Sequence, residues 1–147
     1  MACYLVDTNV LLRMLQPESA QRAAAIHAIA GLASKGDLPC ITPQVLIEFW
    51  AVATRPAKAN GFGWSVEEAV GQTQGILDRF PLLEDNRDVF KHWLELVSSH
   101  GITGKQVHDA RLVAVMKAHG VETLLTFDTD DFSRYQGLTA IHPDSVR

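Results

Sequence analysis

The sequence predicts an α/β protein built on a central parallel sheet of about five short strands flanked by helices, and three observations carry that expectation. Short runs of strand formers alternate along the chain with segments of helical periodicity. The run at 121–127 is nearly continuous in strand-forming residues, as in a strand buried on both faces. The apolar run at 2–6 stops abruptly on Asp7-Thr8-Asn9 and gives way at once to Val10-Leu11-Leu12, the pattern of a strand-to-helix turn.

The elements follow in order. After the strand at 2–6 come a helical stretch through Met14 and an Ala-rich one over 18–34, with Gly36 as its stop. The next strand is 38–42. Thr42 then reads as an N-cap with Pro43 in the first helical position, opening a helix to Thr54 that carries Glu48 in its second turn. Residues 55–64 are a loop rich in breakers. Ser65 and Glu68 have capping-box spacing and start a helix to about Asp78. Residues 80–83 are a candidate third strand. Asn86 opens a helix ending near His100, where Gly101 suits a left-handed cap. Thr103 and Gln106 repeat the capping-box spacing before a helix that runs to Ala118 and is stopped by Gly120. The strand at 121–127 follows and ends on Asp128, and a short strand at 138–141 closes the pattern.

With 147 residues, 47% of them hydrophobic, the chain fits one domain over 1–147 with a single sizeable core. No apolar stretch is long enough to span a membrane and no basic leader precedes one, so the expected location is the cytoplasm. Cys3 and Cys40 lie in expected strands without CxxC spacing, and free, buried thiols are expected. The net charge of -4 argues against nucleic-acid binding by general electrostatics, but not against a nuclease whose acids are gathered in one metal pocket.

Four acids occupy comparable places. Asp7 and Asp128 end strands; Glu48 and Asp109 lie on early turns of helices that leave the same kind of edge. In a parallel sheet both strand ends point one way, to the edge where ligands bind in open α/β folds. Carboxylates crowded there repel one another and are desolvated, a cost that a divalent cation offsets. Mg2+ and Mn2+ prefer oxygen ligands and keep several waters, leaving room for substrate phosphate. For three of these acids a second reading stands beside the first. Asp7 also suits a helix cap, Glu48 an exposed helix charge, and Asp109 a first-turn acid facing the helix dipole.

The segments Val6-Asp7-Thr8-Asn9-Val10-Leu11-Leu12, Glu48-Phe49, His108-Asp109-Ala110 and Thr126-Phe127-Asp128-Thr129-Asp130-Asp131-Phe132, in that order and spacing, resemble the PIN-domain pattern, and most closely that of VapC-type toxin ribonucleases. The resemblance covers essentially the whole chain, including the Thr54-Arg55-Pro56 loop with Asn60-Gly61. It implies a PIN domain with Asp7, Glu48, Asp109 and Asp128 as catalytic, metal-binding acids, supported by Asn9 and Thr126, with Asp131 as a further candidate in the last motif. It also implies Mg2+ or Mn2+ as cofactor, RNA as substrate with cuts that leave a 5′-phosphate and a 3′-hydroxyl, a small antitoxin as partner, and a homodimer.

The corresponding chemistry is hydrolysis of a phosphodiester by metal-activated water. RNA would be held by local cations, of which Arg55, Lys58 and Lys105 are singled out among Arg13, Arg111 and Arg134. The six histidines lack zinc spacing, and Trp50, Trp64 and Trp93 fit packing as well as base stacking. Apolar residues of the two N-terminal helices, among them Leu11, Leu12, Met14, Ile26 and Leu32, fit either the core or a partner contact. Two rivals remain. A haloacid dehalogenase-like phosphatase with Asp7 as nucleophile wants a second acid two residues on, where this chain has Asn9. A non-catalytic PIN-like binding module does not need all four acids.

Overall fold

The computed structural model describes residues 2–146. Four parallel strands, β1 (Cys3–Val6), β2 (Leu38–Cys40), β3 (Thr123–Leu125) and β4 (Thr139–Ile141), lie in the order β2-β1-β3-β4. Six helices flank them: α1 (Thr8–Met14), α2 (Arg22–Ser34), α3 (Pro43–Thr54), α4 (Val66–Arg79), α5 (Arg87–His100) and α6 (Gln106–His119). The central strands β1 and β3 read as apolar because both faces are covered, and Leu5, Val6, Leu124 and Leu125 have no exposed surface. Val45 and Phe49 of α3 and Ala110 and Ala114 of α6 complete the core around them.

The expected third strand at 80–83 shrinks to one parallel bridge between Ile41 and Leu82 at the outer edge of the sheet. Pro81 has no N–H to donate, so the pairing consists of Ile41 N to Pro81 O (3.0 Å) and Leu83 N to Ile41 O (2.7 Å). The Ala-rich helix starts at Arg22 rather than 18, and β3 is shorter than the 121–127 run.

Local capping chemistry sets most helix ends. Thr42 accepts from Val45 N, Ser65 and Glu68 form the reciprocal box, and Asn86 accepts from Asp88 N. Gly101 and Gly120 end α5 and α6 with φ of 62° and 68°. The expected box at Thr103 does not form. Gly104 turns the chain at φ 64°, so Lys105 occupies the N-cap position of α6 and contributes no side-chain cap.

The cysteines are not free thiols: Cys3 and Cys40 form a disulfide. Parallel pairing sets Cys3 opposite Leu38 and Leu5 opposite Cys40, which puts both cysteines on the same face of adjacent strands. Their Cα atoms are 6.6 Å apart, within disulfide reach. The N-terminal helices turn most of their apolar residues inward, with Leu11, Leu12, Met14 and Leu32 buried, but Ile26 of α2 is exposed. Larger apolar exposures lie at Ile47, Val66, Phe90 and Leu94.

A candidate metal-dependent nuclease centre

Because β1 and β3 are adjacent and parallel, Asp7 and Asp128 leave the sheet at the same edge. Asp7 N donates to Leu125 O at 3.0 Å, which fixes that juxtaposition through the backbone. Asp7 caps α1, its Oδ1 accepting from Thr8 N at 2.7 Å, while its Oδ2 accepts from Thr126 Oγ1 at 2.8 Å. Thr126 is fully buried, and its hydroxyl is saturated. Besides donating to Asp7, it accepts from Asn9 Nδ2 (3.2 Å) and Asp128 N (3.0 Å). Asn9 stitches the two strand ends together, donating from Nδ2 to Asp128 Oδ2 (3.0 Å) and accepting on Oδ1 from Phe127 N (3.2 Å). Both ends of its amide are thus spent on holding the strand ends in register.

Helices α3 and α6 start at that same edge and deliver the other two acids. Glu48 receives Thr8 Oγ1 on one oxygen at 2.8 Å and Gln44 Nε2 on the other at 3.0 Å. Asp109 lies in the first turn of α6. Burial is the main cause that lifts the Asp7 carboxyl from 3.8 to about 6, reinforced by the charges of Asp109 and Glu48 and opposed by the bonds from Thr126 and Thr8. Asp109 also rises to about 6, first through burial and then through Asp131, Glu48 and Asp128. The four acids thus share one electrostatic neighbourhood. Asp131, exposed on the turn after Asp128, belongs to it through its effect on Asp109.

Among the described residues, none of these acids makes an ion pair with a Lys, Arg or His. Nor are three or more His, Cys, Asp or Glu side chains drawn together closely enough to form a ready-made cage. An open arrangement of hard oxygen donors without a counter-cation suits Mg2+ or Mn2+, which take one or two carboxylates directly and retain water.

Gln44 is a site residue that sequence reasoning missed. Its Nε2 also donates to His108 O (2.8 Å), and its Oε1 accepts from Arg111 Nη1 (2.9 Å), so one amide clamps the Glu48 helix to the Asp109 helix. Its signal was the four-residue spacing to Glu48, which places both on one face of α3. Arg111, one of the wider set of candidate cations, donates to Gln44 and pairs with Asp85 at 3.0 Å. Lys105 directly precedes α6, one turn before Asp109. Arg55 ends α3, about two turns of helix beyond Glu48, and Lys58 lies in the following loop. Both are exposed. Gly61 is required in that loop, because a side chain there would run into the Arg55 backbone.

A family model for the PIN domain matches residues 4–138. The chain belongs to the PIN-domain family. Solved structures share its fold. VapBC2 from Rickettsia felis, bound to a DNA fragment from its promoter, superposes with a TM-score of 0.70 at 19% identity over 95% of this chain and 98% of that one. VapBC-1 from nontypeable Haemophilus influenzae gives 0.68 at 17% identity over 96% and 98%. VapC20 from Mycobacterium tuberculosis, a Sarcin-Ricin loop cleaving toxin, gives 0.66 at 21% identity over 88% and 93%. No curated protein matches the sequence. Among the described residues, no helix of this PIN domain is long and apolar enough to cross a membrane.

Proposed function

We propose that the chain is a Mg2+- or Mn2+-dependent endoribonuclease of the cytoplasm, the toxin of a toxin-antitoxin pair. The observation that carries this reading is the convergence of Asp7, Glu48, Asp109 and Asp128 on one sheet edge without a cationic side chain, with two of the four carboxyls lifted to about 6. A group of acids that resists its own ionisation is costly to maintain, and a divalent cation relieves that cost. Membership of the PIN family and the fold shared with VapC toxins support the same choice.

In this reading Asp7, Glu48, Asp109 and Asp128 hold the cation, which supplies a more acidic bound water and neutralises charge on the phosphoryl oxygens. Asn9 and Thr126 keep Asp7 and Asp128 in register, and Gln44 with Thr8 fixes both oxygens of Glu48. Asp131 adds negative potential at the rim. Lys105 is placed to meet a phosphate one turn from Asp109, whereas Arg55 and Lys58 contact RNA farther along the strand. The acidic cleft also suits inhibition by a small antitoxin presenting a basic side chain, and the active form is a homodimer.

The test is cleavage of RNA by purified protein with Mg2+ or Mn2+, with chelator, and by Asp7→Asn. The expected result is metal-dependent cutting that leaves 5′-phosphates and is abolished in the variant. Equal cutting by both proteins refutes the mechanism.

A further inference from the structure

Beside the acid cluster, helices α5 and α6 enclose an apolar groove of about 400 Å³, walled by Val89, Phe90, Trp93, Val107, His108 and Arg111. That volume falls in the range of small-ligand sites. Phe90 is 66% exposed, an unusual place for a phenyl ring unless something covers it. Its ring lies 5.5 Å from that of Trp93 with 31° between planes, so the two form an offset aromatic wall. Trp93 is held rigidly, its indole N–H donating to Val107 O at 2.8 Å.

We infer that this groove takes one unstacked nucleobase of a single-stranded RNA, next to the phosphate held at the acids. The inference rests on the nuclease reading and adds a substrate-binding site to it. Continuity with the acids argues for a base. Val107 and His108 immediately precede Asp109 on the first turn of α6, with His108 about 100° of helix rotation from Asp109. Arg111, in the groove wall, reaches Glu48 through Gln44. A nucleotide with its phosphate beside Glu48 therefore has its base within reach of the groove, by way of the Gln44–Arg111 link. The chemistry of the lining also matches. Flat aromatic faces stack on any base, and the rim carries His108 and the Asp85–Arg111 pair, polar groups that a base edge can meet.

The experiment uses an RNA oligonucleotide that the wild type cuts, and a series in which one nucleotide at a time near the cut lacks its base. For the wild type, removal of the base at one position raises KM about tenfold or more, the size expected for losing a stacked base. Phe90→Ala, whose exposed ring contributes little to the core, raises KM by a similar factor on the intact RNA and loses nothing further on the abasic one. Leu94→Ala, an exposed apolar residue of α5 outside the groove, behaves as wild type. An RNA cut equally well by wild type and Phe90→Ala refutes the base site alone, and so do losses that add independently. Self-association that disappears in Phe90→Ala at unchanged KM refutes it too and gives the groove to a second copy of the chain. An RNA left intact by the wild type refutes the nuclease reading itself.

Discussion

Replacing Asp7 by asparagine separates the charge of the site from its shape. A carboxyl whose pKa rises from 3.8 to about 6 on folding binds its proton more tightly in the folded state. Folding is therefore favoured at low pH, and the advantage is lost as pH rises from the unfolded value through about 6. At neutral pH without metal, the ionised Asp7 costs about 3 kcal/mol, from about two pKa steps of 1.4 kcal/mol each. Asparagine removes that cost but gives up one hydrogen bond. Whichever way the amide is turned, its NH2 meets a donor, either Thr8 N or Thr126 Oγ1, at a loss of about 1 kcal/mol. The net gain is about 2 kcal/mol, or roughly 4–8 °C in Tm for a chain of this size. Thermal denaturation in chelator near pH 7.5 and again near pH 4 reads it directly. The variant should melt higher at the first pH and no higher at the second, while its RNA cleavage is lost. A variant that melts lower near pH 7.5, or gains equally at both values, refutes the assignment of burial and repulsion as the cause of the shift.

Further outcomes follow from the structure. Metal affinity, followed by Mn2+ titration calorimetry, should fall as pH drops through about 6, because protons on Asp7 and Asp109 compete with the cation; a flat profile from pH 7.5 to 5 contradicts this. Gln44→Ala should weaken metal binding and cleavage by about 10- to 100-fold with little change in the core, since it frees one oxygen of Glu48 and breaks the link to Arg111. Gln44→Glu should be worse, because it sets a second charge beside Glu48. Cys40→Ser should lower stability by at most about 4 kcal/mol, the entropy of a closure spanning 37 residues, yet retain activity, because the disulfide lies at the end of β1 opposite Asp7; thiol titration of the unreduced, unfolded protein should find no free cysteine.

What was legible in the sequence was local. Thr42, Ser65, Asn86, Gly101 and Gly120 mark their helix ends through bonds that reach only a few residues, so their types announce their positions. Thr103 misled for the converse reason: its spacing to Gln106 was right, but the left-handed turn at Gly104 decided the backbone. The common edge of the four candidate acids was legible because parallel topology turns strand ends and helix starts the same way. The Cys3–Cys40 pairing depends on strand register, and the Gln44 clamp on how α3 meets α6. Neither leaves a periodic trace. The groove beside Trp93 was out of reach for the same reason, since an apolar helix face looks alike whether a neighbour covers it or stands slightly apart.

The bond from Thr126 to Asp7 spans 119 residues of chain, and that of Asn9 to Asp128 spans the same number. During synthesis, at about 5–20 residues per second, Asp7 waits several seconds or more for the partners that complete its surroundings. Until β3 docks against β1, the nascent chain carries isolated acids and no common cleft. Under the nuclease reading the chain therefore carries no assembled metal site while it is being made, and a partner recognising that edge would have nothing to bind until the edge exists.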